Sequence, residues 1–157
     1  MKNRVVDSPV GPLTLVADAD GALVALYTHE QKYFPDAAAL GERDDTVAQD
    51  AARQLEEWFA GTREEFDLEL RPRGSDFQRA VWEQISCIPM GRTATYGELA
   101  ALLGRPTASR AVGAATGRNP ISIIVPCHRV VGASGALTGY AGGVERKRWL
   151  LDHESRG

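Results

Sequence analysis

Cysteine is scarce in this chain: Cys87 and Cys127 are the two thiols in 157 residues, and they do not form a CxxC pair. A disulfide framework is therefore excluded, and two cysteines in an intracellular chain are expected to remain thiols. His29, His128 and His153 are dispersed, so no metal-ligand spacing arises and no metal is expected. Neither GxGxxG nor GxxxxGK[ST] occurs, so no nucleotide cofactor is expected. Long apolar runs are missing too. Val5-Val6 gives way at once to Asp7, too short for a signal peptide, and nothing approaches the length of a membrane span. A cytoplasmic protein without a membrane partner is the resulting expectation.

A net positive charge is also lacking, which at first argues against nucleic acid: the formal charge is -3. Dividing the chain changes that reading. Residues 1–70 hold 6 Lys/Arg against 15 Asp/Glu, whereas residues 71–157 hold 12 against 6. An acidic half followed by a basic half is the pattern of a chain whose second part meets a polyanion, although a solvated mixed surface gives the same counts. With 43% hydrophobic and 25% charged residues, the composition is that of a globular protein with a real core.

In the acidic half, Leu13–Val16 and Ala22–Tyr27 flank the turn-rich Asp18-Ala19-Asp20-Gly21 and predict an antiparallel hairpin. Gln31–Asp45 reads as a loop. Val47, Ala51, Leu55 and Trp58-Phe59 recur at helical spacing behind Asp44-Asp45-Thr46, a capping-type cluster, with Gly61 as a stop. Phe66–Leu70 alternates with period two and predicts a further strand, after which Arg71-Pro72-Arg73-Gly74 breaks the pattern. An N-terminal domain over 1–70, a linker at 71–74 and a C-terminal domain over 75–157 follow.

The basic half is helical in short pieces. Ser75-Asp76-Phe77-Gln78 and Thr95-Tyr96-Gly97-Glu98 fit capping boxes. The first helix places Phe77, Val81, Ile85 and Ile88 on one face, and the second turns Leu99, Leu102 and Leu103 inward and stops at Gly104. A third helix runs from Thr107 to about Gly117, giving a helix-turn-helix outline. Its residues Ala108, Ser109, Ala111, Gly113, Ala114, Ala115 and Thr116 are small, and Arg110 is the one long side chain near its start. Such a helix can press against a nucleic-acid backbone with one arginine inserted, or simply pack tightly on a neighbour. It lacks the several Arg, Asn or Gln side chains expected of a major-groove reader, which disfavours sequence-specific regulation.

Pro120–Val131 carries the chemistry. Two β-rich runs, Ile121–Val125 and Val130-Val131, bracket a proline-fixed bend holding Cys127, His128 and Arg129 side by side. Positive charge lowers a thiol's pKa, so Cys127 reads as an activated sulfur; an inert buried cysteine is the alternative. The glycine-rich Gly132–Gly143 follows as a binding loop. Val144–His153 then closes the chain as a helix with Lys147 and Arg148 outward and Leu150-Leu151 inward.

These residues resemble a known family. Tyr96-Gly97-Glu98-Leu99-Ala100, Ser109-Arg110-Ala111-Val112-Gly113, Asn119-Pro120, Ile124–Val131, Gly139–Gly143 and Trp149–Glu154 fall in the order found in the methylated-DNA–protein-cysteine methyltransferases, over roughly residues 75–154. The resemblance implies an α/β (α+β) fold: a small N-terminal antiparallel sheet with a helix, ribonuclease H-like, and a mainly helical, winged-helix-like DNA-binding domain. It implies repair of O6-alkylguanine in double-stranded DNA, with O4-alkylthymine as a second candidate, by irreversible transfer of the alkyl group to Cys127. His128 would be the base acting through a water, Glu154 its orienting carboxylate and Asn119 a support. Tyr96 would press on a phosphate and help protonate the departing guanine. Arg110 would fill the gap left by the rotated nucleotide, with Ala108, Ser109, Ala111, Gly113 and Ala115 along the DNA. Tyr140, Val130, Gly139 and Ser134 would line the base pocket. No cofactor is implied, and a monomer in solution is expected, with assembly on DNA left open.

Two features depart from some relatives. Ser122 stands where some carry proline beside the pocket, and residues 1–70 lack the cysteines through which some hold zinc. A lesion-binding module that leaves Cys127 buried is a competing reading. So is a cysteine hydrolase built on Cys127, His128 and Glu154, although such enzymes usually draw cysteine and histidine from separate segments.

Overall fold

The computed structural model describes residues 1–137 and 139–155. Thr138, within the glycine-rich loop above, and Arg156 and Gly157, at the end of the C-terminal domain, lie outside them. The N-terminal half is built on strands β1 (Lys2–Val6), β2 (Leu13–Ala17), β3 (Leu23–Thr28) and β4 (Glu42–Arg43), in the order β3-β2-β1-β4. The expected hairpin is β2–β3. Its register slips at Val16/Ala17: Ala17 pairs with Leu23 and Val16 with Ala25, so Val24 is an extra residue. This bulge turns Leu23 and Leu26 toward the same core.

β1 was not legible as a strand, because only Val5-Val6 is apolar in it. β4 pairs with it in parallel, so the sheet is mixed rather than purely antiparallel. The loop expected over 31–45 contains this β4 and a one-turn helix, α1 (Ala37–Leu40), capped by Asp36. Leu40 packs against Val16, Val24 and Ala25 on the sheet's outer face, which explains why β2 is buried along its whole length.

Helix α2 (Gln49–Phe59) buries Ala51, Gln54, Leu55 and Trp58. It starts later than the Asp44-Asp45-Thr46 cluster predicts, since Asp44 accepts from Thr46 N at 2.9 Å and closes its own turn, leaving Ala48 as an uncapped N-cap at φ 54°. The strand expected at Phe66–Leu70 reduces to a single bridge between Leu70 and Leu23. Gln54 supplies the reason: its amide donates to Asp67 O at 2.9 Å and accepts from Asp67 N at 2.8 Å, taking the place of a strand partner.

The C-terminal half follows its caps. Ser75 and Thr95 form reciprocal capping boxes with Gln78 and Glu98, starting α3 (Asp76–Ser86) and α4 (Tyr96–Leu102). Leu102 is 68% exposed and not inward as expected, because α4 packs through Leu99 and Ala100. Helix α5 (Ser109–Gly117) packs on both, and Trp82 Nε1 donates to Ala115 O at 2.8 Å. A short parallel pair joins β5 (Ala94–Thr95) to β6 (Val130–Val131), and α6 (Val144–Ser155) ends the described chain. One apolar core, including Leu13, Leu26, Trp58, Val81, Leu99, Ile121 and Leu150, runs through both halves. No helix among the described residues is long and apolar enough to cross a membrane.

Candidate active site

The reactive bend is held by backbone bonds, and the β-rich run Ile121–Val125 does not form a strand. Only Ile121 bridges a strand, at Leu26, through Leu26 N to Pro120 O at 2.8 Å and Ser122 N to Leu26 O at 3.2 Å. Ile123 has φ 72°, so the chain turns back at once and Val125 N reaches Ile121 O at 3.0 Å. Asn119 ties the turn together: its Oδ1 accepts from Ile121 N at 3.0 Å and its Nδ2 donates to Val125 O at 2.9 Å. Cys127–Arg129 then forms one turn of 3-10 helix leading into β6.

Behind the thiol lies a buried charge cluster. Glu154, from the last turn of α6, meets His128 Nε2 at 2.9 Å through Oε2. Arg129 donates through Nε to both Glu154 oxygens at 3.0 Å, through Nη2 to Oε2, and through Nη1 to Ile88 O at 2.6 Å. Burial alone would raise the Glu154 carboxyl, but the hydrogen bonds and charges of His128 and Arg129 outweigh it and hold its pKa below the ordinary value. Arg129 is thus committed to Glu154 and does not serve as the activating neighbour of Cys127 that its sequence position suggests.

The cation coupled to the thiol is Lys147. It was expected to point outward, yet it is buried, with Nζ donating to Val130 O at 2.5 Å. Burial pushes the Cys127 thiol up to about 11, opposed by hydrogen bonding with Asn119 and by the charge of Lys147. Burial, with the charges of Arg129 and Lys147 adding to it, lowers the His128 pKa against the pull of Glu154. The thiol is therefore mainly protonated at neutral pH, and the lowered His128 pKa favours the neutral ring beside the Glu154 carboxylate. Since Nε2 faces the carboxylate it must carry the ring proton, which leaves Nδ1 as the basic atom. That Nδ1 is buried without a hydrogen-bond partner among the described residues. A polar atom left open next to a nucleophile suits an incoming polar group.

The remaining predicted residues fall into two groups. Arg110 is exposed and has no hydrogen bond or ion pair among the described residues; Ser109 and Ala111 are exposed and Ala108 is half-buried on the same helix start. Ala115, in contrast, is 3% exposed, and its carbonyl accepts from Trp82 Nε1, so it is buried by packing against α3. Tyr96 joins α5 to the glycine-rich loop: a Cβ on Gly113 would lie 3.7 Å from its ring, and one on Gly139 would lie 3.6 Å from its hydroxyl. Tyr140 is buried, which raises its hydroxyl pKa well above the ordinary value, Val130 is buried in β6, and Ser134 is exposed in the turn after it. No group of three or more His, Cys, Asp or Glu that could hold a metal occurs among the described residues.

Comparison with known proteins places this geometry. Residues 1–72 match the family model for the ribonuclease-like domain of 6-O-methylguanine DNA methyltransferase, and residues 76–156 match that for its DNA-binding domain. The methylated-DNA–protein-cysteine methyltransferase of Mycolicibacterium paratuberculosis is 52% identical over 98% of this chain and 92% of its own. That of Methanosarcina acetivorans is 46% identical over 98% of both. A crystal structure of Mycobacterium tuberculosis OGT in complex with DNA superposes with TM-score 0.92 at 49% identity, covering 99% of this chain and 94% of that one. With both halves matched, in order and nearly end to end, and Cys127 next in the chain to a buried His128–Glu154 pair, the chain belongs to the 6-O-methylguanine DNA methyltransferase family.

Proposed function

We propose that Cys127 is the alkyl acceptor of a direct-reversal DNA repair reaction, served by His128, Glu154, Asn119 and Tyr96, and that its substrate is alkylated guanine in duplex DNA. The protein is a methylated-DNA–protein-cysteine S-methyltransferase, and the observation that carries the residue assignment is the His128–Glu154 contact behind the thiol. Glu154 fixes the imidazole so that Nδ1 can take the thiol proton through a water, and then holds the imidazolium that results. The thiolate attacks the methyl carbon, forming the S–C bond while the C–O6 bond breaks. Its electron pair passes to guanine, which takes a proton as it leaves; the Tyr96 hydroxyl, facing the glycine-rich loop, is the donor. The product is a thioether that no group in the site can reverse, so each molecule acts once.

The target atom lies inside the base stack, and rotating the nucleotide out costs on the order of a few kcal/mol. Arg110 is exposed, with no hydrogen bond or ion pair among the described residues, at the start of the small-residue helix, which supports its role as the side chain that enters the gap and offsets that cost. Phosphate contacts by the basic half make affinity fall with salt and depend little on sequence. The test is direct: incubate the protein with duplex DNA containing a methylated guanine and weigh the peptide containing Cys127. One added methyl group is expected, and a peptide of unchanged mass overturns the assignment. Many substrate molecules consumed per protein would instead indicate the hydrolase, and tight lesion binding without transfer the binding module.

A further inference from the structure

The pocket loop is anchored to the N-terminal half by one side chain that the reaction itself does not use. Arg146, in the first turn of α6, donates through Nε to Val10 O at 3.1 Å and through Nη1 to Gly142 O at 3.1 Å, with the Thr28 hydroxyl at 3.5 Å. Thr28 is oriented in turn, its hydroxyl donating to Gln31 Oε1 at 3.0 Å. A second tie runs beside the first, Lys32 N to Ala141 O at 2.8 Å. No carboxylate pairs with Arg146 among the described residues, so its guanidinium serves three segments at once: the turn before β2, the end of β3 and the pocket loop. The packing between them is close. A Cβ on Gly142 would lie 2.7 Å from the Tyr140 ring and 3.1 Å from Thr28 Oγ1.

We propose that Arg146 is a positioning residue for the substrate pocket: by tying the Gly142 carbonyl to Val10 and Thr28 it fixes the loop segment against which the Tyr140 ring packs, so that the N-terminal sheet helps decide which O6-substituents are accepted. This rests on the alkyl-transfer reading above. The planar fork of arginine matters, because a lysine ammonium cannot span the three acceptors in the same way. The test compares wild type, Arg146→Gln, Arg146→Lys and Thr28→Val in three assays: methyl transfer from duplex DNA, reaction with free O6-benzylguanine, and alkylation of Cys127 by iodoacetamide, which needs no guanine pocket. For Arg146→Gln, methyl transfer should fall between about tenfold and a hundredfold, as expected for misplacement of a positioning group. Benzyl transfer should fall less, because a loosened loop admits bulk, and iodoacetamide reactivity and DNA affinity should hold. Arg146→Lys should be intermediate. Thr28→Val, at the edge of the network, should shift the benzyl-to-methyl ratio in the same direction by a smaller factor and carries the test if Arg146→Gln fails to fold. Unchanged methyl transfer and ratio, or a loss of iodoacetamide reactivity in step with transfer, overturns the inference. If wild-type Cys127 itself takes no methyl group, it is the alkyl-transfer assignment that fails.

Discussion

Replacing Glu154 by glutamine separates what the buried cluster does for stability from what it does for reactivity. The carboxylate receives His128 Nε2 at 2.9 Å, Arg129 Nε at 3.0 Å on each oxygen, and Arg129 Nη2. The amide keeps the shape but removes the negative charge and puts an NH2 group where an acceptor stood, leaving the Arg129 guanidinium uncompensated at 7% exposure. Breaking one side of a buried ion pair costs about 3–5 kcal/mol. For a chain of this size, at roughly 2–4 °C per kcal/mol, Tm should fall by about 6–20 °C. Methyl transfer should fall by about a hundredfold or more, because the histidine loses both its fixed tautomer and the partner of its charged form. Scanning calorimetry and quenched single-turnover transfer measure the two. A double variant, Arg129→Met with Glu154→Leu, removes the pair together and should recover most of the stability without recovering transfer. A Tm within about 2 °C of wild type for Glu154→Gln, or transfer-competent double-variant protein, would refute the reasoning.

Acid should destabilise the protein in two steps with the same sign. His128 has its folded pKa held below 6.5, so the folded state resists a proton that the unfolded chain accepts, and stability falls as pH drops below about 6.5. Glu154 contributes stability that is present above about 4.5 and is lost as pH falls through its lower folded pKa. Denaturant titrations from about pH 8 to about pH 2 should show this decline, and Glu154→Gln should flatten its lower part, below about 4.5. Lys147→Met removes the cation coupled to the thiol, so reaction of Cys127 with iodoacetamide at neutral pH should slow by at least about tenfold and its pH–rate curve should move to higher pH; an unmoved curve refutes that role. Arg110→Ala should weaken transfer from duplex DNA more than reaction with the free modified base, since only the duplex requires flipping. Equal losses on both substrates would remove Arg110 from the gap-filling position.

The sequence by itself determined the elements whose stabilising contacts are local. Ser75 with Gln78 and Thr95 with Glu98 satisfy helix ends within three residues, so α3 and α4 could be placed from pattern alone. The ordered motifs around Cys127, with Glu154 at the end of the last helix, pointed to residues that the fold gathers into one buried cluster, with His128 on Glu154 at 2.9 Å. Tertiary structure decided the rest, and in each instance a distant partner overrode a local preference. Gln54 satisfies Asp67 and dissolves the strand that Phe66–Leu70 would form. The positive φ of Ile123 and the Asn119 bonds turn a β-rich run into a tight bend. Within the charged run Glu145-Arg146-Lys147-Arg148 nothing in the periodicity distinguishes the side chains. Yet Arg146 reaches back 136 residues to Val10, and Lys147 is buried with its ammonium on Val130 O. Charge in a folded interior is assigned by which residues the fold brings within hydrogen-bonding distance, and neighbours along the chain report only the first few residues of that arrangement.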